Sequence, residues 1–399
     1  MRTYTSLPVL FFVVAAAIGL FLRWQFLLPT PGIRFTWLVH AHSHIMFLGW
    51  VTNVLYLASI RYLSDEDQKK AIRWFVVLQV LVVGMLIAFP LQGYALYSIT
   101  FSTLHTLLLA FLIIVFWQRT KTQHNTALAF LRPALVFFLL STLGPFALGY
   151  FMSQGLSTSV WYNFSIYYYL HFQYNGFFTL GILALFFQLL DDYGITYTPK
   201  LARRMALWLA IACVPAYALS VLFANPGLLF NITGGIAAMI QVGVVIVFTL
   251  DIGGSVRALQ QKTGNGLYRV FFFVWLCWVV KSVLQLLSAH PEIARLAYEL
   301  RPIVIAYLHL VLLGTITLFL LAWYVTQGWA SARLSLRGIA LLIIGFIISE
   351  IVLIMTPWWG QITGGRLSHT VVVFFFSILM WMGALFSYAA AWKATQKAD

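Results

Sequence analysis

Charge is what this sequence has least of: only 9% of its 399 residues are Asp, Glu, Lys or Arg, while 62% are hydrophobic. An ordinary soluble domain carries roughly a quarter charged residues, so a water-soluble enzyme is excluded. Cysteine is almost absent. Cys213 and Cys277 fall inside apolar runs; they form neither the CxxC spacing of a zinc site nor a CxxCH motif, and read as buried thiols. Acids are scarcer than bases, ten against 24. The bases punctuate the ends of apolar runs and are not interleaved with stacking aromatics, so no nucleic-acid partner is expected. Low-complexity segments are absent too.

Long apolar runs make up the rest. Twelve fall near 6–28, 36–60, 74–92, 96–118, 132–152, 160–189, 205–224, 228–250, 268–289, 302–326, 338–356 and 367–391. A crossing takes about 20 apolar residues, and loops averaging roughly ten residues hold no folded domain. The expectation is an all-α polytopic bundle of twelve transmembrane helices, one integral membrane domain over 1–399 with lipid as its surroundings. No small-residue cleavage site precedes the second run, so the first reads as a retained helix. Eighteen of the 24 Lys and Arg residues lie on the side shared by both tails, five lie on the other, and Lys281 is inside a run. Cytoplasmic loops retain such residues. Both termini are therefore expected in the cytoplasm, in a bacterial inner membrane.

Three runs share a pattern: HSHIMFLGW in the second, YLHFQYNGFF in the sixth and YLHLVLLGT in the tenth. Each places a histidine four to six residues before a glycine, and four helices separate each from the next. This spacing suggests three four-helix units in a pseudo-threefold arrangement. Weaker echoes occur at LHT (His105) and SHT (His369).

Seven of nine histidines, His40, His42, His44, His105, His171, His309 and His369, lie in or at the edge of spans. Ionisable groups in hydrocarbon are rare and usually functional. All seven fall within roughly the first dozen residues of spans running the same way, so at 1.5 Å per residue they are expected in one layer of the outer half-membrane. Neutral imidazole ligates haem iron, copper and zinc. Within HAHSH, His40 and His44 share a helix face while His42 points nearly opposite, so one helix cannot aim all three at one ion. A metal at His40 and His44 with a haem at His42 is compatible with this geometry; which of the three is an axial ligand stays open.

Twelve spans with histidines on two, six and ten resemble the catalytic subunit of the haem-copper oxidase superfamily, especially C-type oxidases and nitric-oxide reductases. LVHAHSHIMFLGWVTNVLYLA is similar to the family's low-spin haem helix, in which a histidine precedes an asparagine by eleven residues. Asn53 then places that ligand at His42. In span ten the resemblance implies His309 as the second ligand to a low-spin haem b, with Tyr307 replacing the family's high-spin haem ligand. A phenolate at Tyr307 would be an alternative ligand for a second haem. His171, before Asn175 and Gly176, is similar to the first copper ligand. The family's adjacent copper-binding histidine pair is replaced by Ala216 and Tyr217. The implied binuclear centre is degenerate, and a copper held by His171 alone is under-ligated; His105 or His369 offers a different metal site. Size, span count and HAH also resemble NnrS-type membrane proteins, linked to nitric-oxide stress, although Ser43 and His44 stand where their motif continues with glutamate and methionine.

Haem propionates need cationic partners, and arginine binds carboxylates through two prongs. Arg366 occupies the region where the oxidase family places its propionate arginines, and Arg301 is a second candidate. Lys281 and Glu350 are the charged side chains clearly inside spans; they either pair, or Lys281 faces a propionate. The resemblance implies electron transfer with a partner subunit or quinol, or a part in nitric-oxide handling. Two rival readings are an active oxidase-like or nitric-oxide reductase-like enzyme with an unconventional second metal, and a cofactor-free transporter with a histidine-lined path.

Overall fold

The computed structural model describes residues 2–396. Lys397, one of the bases expected on the cytoplasmic side, lies outside them. The described residues form helices and no strand. Twelve helices among them are long and apolar enough to cross a membrane: Ser6–Gln25, Phe35–Tyr62, Asp65–Gln92, Leu96–Thr120, Thr126–Ser153, Val160–Asp192, Pro199–Ala224, Leu228–Gly253, Val256–Leu287, Arg301–Thr326, Ala332–Thr363 and His369–Thr395. They are numbered here as spans one to twelve. Each coincides with one apolar run, and the protein is an all-α polytopic membrane bundle.

Several helices outrun their apolar stretch where polar chemistry supports extra turns. Span three begins at Asp65 instead of near residue 74. Ser64 caps it by accepting from the Asp67 amide (3.3 Å), and Asp65, Glu66 and Asp67 sit in its first turn, where negative charge meets the positive end of the helix dipole. Span nine gains a leading helix that bends at Gly264, whose φ of 80° is open to glycine alone at little cost. Between spans nine and ten lies a further helix, Pro291–Glu299. On it Arg295 donates to Glu292 (2.8 Å) and Glu299 (3.0 Å), and the hydrogen bond from this guanidinium holds the Glu292 carboxyl below its ordinary range.

The chain forms two compact units, one of residues up to Thr122 together with those from Thr317 onward, the other Gln123–Ile316. In the first, spans eleven and twelve cross with almost no separation. A Cβ added at Gly338 would lie 2.6 Å from the Gly383 carbonyl, and one at Gly383 equally close to that of Gly338. Small residues at such crossings let backbones approach where lipid provides no hydrophobic drive between helices. In the second unit every residue of the most apolar stretch of span six is buried. Phe137 of span five stacks on Phe172 there, with centroids 5.7 Å apart and an interplanar angle of 8°.

The expected recurrence in spans two, six and ten has a backbone counterpart. Each span changes from α- to π-helix directly after a histidine: Ile45–Thr52 follows His44, Phe172–Phe178 follows His171, and Leu310–Thr317 follows His309. Each segment holds a glycine five residues after that histidine: Gly49, Gly176 and Gly314. A Cβ at Gly176 would lie 2.5 Å from Cγ of Phe137, and one at Gly49 3.0 Å from Cβ of Phe11. The glycine thus lets a neighbouring helix press against the widened turn. Such a turn weakens the i→i−4 ladder, and side chains take up the slack: Thr179 Oγ1 donates to the Tyr174 carbonyl (2.6 Å) and Thr315 Oγ1 to that of Leu310 (3.2 Å). In span two Asn53 serves this purpose. Its Nδ2 donates to the Gly49 carbonyl (2.7 Å) and to Oε1 of Gln79 (2.7 Å), and Gln79 returns a bond to Asn53 Oδ1 (3.1 Å). π-segments of this kind occur frequently at functional sites.

Candidate functional site

Span two carries three of the histidines on two faces, as its helical spacing requires. His42 faces span one. Its Nδ1 lies 2.8 Å from the Ala15 carbonyl, which can only accept, so Nδ1 bears the proton and Nε2 the lone pair. The ring lies across Gly19, where an added Cβ would come within 2.9 Å of Cε1. Span one therefore fixes both tautomer and tilt. Histidines that ligate metals are held in this way, through the second ring nitrogen on a backbone carbonyl.

His40 and His44 occupy the opposite face. Nδ1 of His44 donates to the His40 carbonyl (2.9 Å), and its Nε2 is 3.4 Å from the Tyr94 hydroxyl. Phe89 covers the His44 ring at 4.3 Å, and Tyr94 meets the His40 ring edge-on at 4.4 Å. His105 of span four is close enough to His44 for the two to interact electrostatically. It is completely buried, and neither ring nitrogen has a hydrogen-bond partner. Phe89 and Tyr94, which seat this face, were not found from the sequence: both lie near the turn between spans three and four and belong to no motif.

In the second unit His171 is saturated. Its Nε2 donates to the Cys213 carbonyl of span seven (2.8 Å), and its Nδ1 accepts from Ser220 Oγ (3.2 Å) and Asn175 Nδ2 (3.2 Å). Tyr217 packs its ring near His171, but its hydroxyl donates to the Phe164 carbonyl (2.9 Å). Tyr307 meets Tyr174 edge-on at 6.4 Å. No group of three or more His, Cys, Asp or Glu side chains among the described residues is arranged to hold a metal ion. The donor set around His171 therefore does not fit copper: both ring nitrogens are already engaged, and the Cys213 thiol, 3.9 Å from Nε2, is joined by no third ligand among the described residues.

The remaining candidates separate by depth. His40, His42, His44, His105, His309 and His171 are the sixth to twelfth residues of their spans, or roughly 8 to 17 Å from the helix start. His369 differs, because span twelve begins with it; it lies at the mouth, about 13 Å shallower than His105 by the same rise. Arg366 is exposed in the connection before His369, and Arg301 is exposed as the first residue of span ten, within electrostatic reach of Tyr167. Glu350 of span eleven has Arg23 of span one as its charged neighbour within the first unit. Pairing with Lys281, expected as one possibility, is thus not needed to compensate it. Neither a protein-family model nor a curated protein matches the chain.

Proposed function

We propose that this is a haem-b-binding membrane protein related to the haem-copper oxidase catalytic subunit, with His42 and His309 as axial ligands and a degenerate second centre. The observation that carries the reading is His42 itself. Its Nδ1 proton is committed to the Ala15 carbonyl and its ring rests on Gly19, the way in which a metal-ligating imidazole is oriented through its other nitrogen. The π-segments of spans two and ten support it, one beginning three residues after His42 and the other directly after His309, since such segments occur frequently at functional sites. With both axial positions filled, such a haem supplies one-electron transfer and does not bind oxygen.

The chain's own residues do the rest. Arg301 and Arg366, exposed at span mouths, are suited to carboxylate partners. His171 stays a structural residue that ties span six to span seven, so copper is not part of the proposal. The protein would act in a bacterial inner membrane, both termini in the cytoplasm, passing electrons to or from a partner subunit or a quinol, or acting on nitric oxide. The test is a dithionite-reduced minus oxidised spectrum of detergent-purified protein, with haem, copper and zinc per chain measured on the same sample. One low-spin b-type haem without copper is expected. A haem-free protein overturns the reading, and haem plus copper transfers it to an active oxidase-like enzyme.

A further inference from the structure

Among the described residues of the second unit, Lys281 has no counter-ion. It lies on span nine with 3% of its surface exposed, and among the described residues no hydrogen bond or ion pair reaches its amino group. The groups on which its charge acts are the Cys213 thiol of span seven and the His171 imidazole of span six. Neither is an acid that could balance it. The second unit contains five carboxylates, and all stand at membrane ends or beyond: Asp191 and Asp192 close span six, Asp251 lies in the last turn of span eight, and Glu292 and Glu299 belong to the helix between spans nine and ten. One turn beyond Lys281, on the same helix face, Gln285 is 5% exposed and its Oε1 has no partner. Asn175, beside His171, also has an unpartnered Oδ1.

An ammonium group taken out of water is costly unless an anion accompanies it. Bound water would satisfy its N–H groups but leave the charge. We propose that Lys281 is the cationic anchor of an internal oxyanion site in the second unit, taking a carboxylate or a small monovalent oxyanion. An oxyanion only accepts, so Gln285 supplies a second polar contact through its Nε2 donors, its Oε1 being left to the ammonium, and the Cys213 thiol is a weak donor at the same place. The ligand chemistry has two sources, the propionate edge of a haem or a free anion such as formate. Only the first rests on the haem reading.

The sources are separated on detergent-purified full-length protein, with wild type, Lys281→Met and Lys281→Arg compared. Thermal unfolding is followed against added formate at constant ionic strength, and haem content and midpoint potential are measured on the same preparations. A free-anion site raises the wild-type Tm saturably, an effect kept by Lys281→Arg and weakened at least tenfold in Lys281→Met. A propionate partner gives no formate dependence; instead Lys281→Met loses haem or shifts its potential to lower values, because a positive charge that favours the reduced state is gone. The proposal is overturned if Lys281→Met melts at the same or a higher temperature, with haem content and potential unchanged and no formate effect in wild type. That is the behaviour of a neutral amine in an apolar seat. If the protein contains no haem, the haem reading fails while the formate titration still decides this one. Should Lys281→Met fail to fold, Lys281→Gln is read by the same measurements.

Discussion

The histidines of spans two and six begin the same local motif and end in opposite chemical states. His171 has a partner for each nitrogen, drawn from Cys213, Ser220 and Asn175, and these bonds tie two spans together. His42 commits its Nδ1 proton to a carbonyl of span one, and neither ring nitrogen of His105, beside His44, has a hydrogen-bond partner. Position in a repeat thus does not assign a role; the hydrogen-bond partners do.

Five substitutions would break or sharpen this contrast. The largest effect is expected from His42→Ala, which should lower haem per chain at least about tenfold, whereas His171→Ala should keep its haem; equal loss in both would erase the distinction. His171→Ala should instead cost roughly 2–4 kcal/mol of stability, through a cavity and the stranded Asn175 and Ser220 groups, read as a lower melting temperature. Gly176→Ala forces a methyl into Phe137 and should cost about 1–3 kcal/mol by overpacking; Gly49→Ala, with half an ångström more room, should cost less in the same denaturation assay. Smallest, and opposite in sign, is His105→Leu. Removing two unpartnered buried nitrogens should raise stability by about 1 kcal/mol, so a destabilised variant would show that His105 has a partner in the working protein.

The twelve spans were legible because hydropathy over some 20 residues is what a bilayer selects. Some of their starts were not, since capped and charged turns such as Ser64–Asp67 are helical for reasons that hydropathy does not measure. The seven histidines fall within the first dozen residues of their helices, as expected, with His369 the shallowest because span twelve begins with it. The opposed faces of His42 and of His40 with His44 followed from 100° per residue alone. What sequence periodicity could not reveal is the shift to π-helix, because it concerns which carbonyl each amide chooses and leaves apolar content unchanged. The repeated histidine and glycine marked the place without naming the geometry. The backbone register also equates His44, not His42, with His171 and His309, while the tautomer argument favours His42 as ligand; the contacts on opposite faces of the helix account for both.

A widened turn also has a mechanical meaning. It inserts one residue of phase into a helix, so the stretch before it and the stretch after it are indexed separately around a common axis. In span two the histidines are set by the rotation of the first stretch, and Asn53 with its Gln79 latch by that of the second. Deleting a single residue between Ile45 and Thr52 would restore an uninterrupted α-ladder and turn one stretch by about 100° against the other. Either the histidines would leave their seats or Asn53 would leave Gln79, so three of the twelve spans are places where chain length, more than side-chain identity, keeps the two halves of the membrane in step.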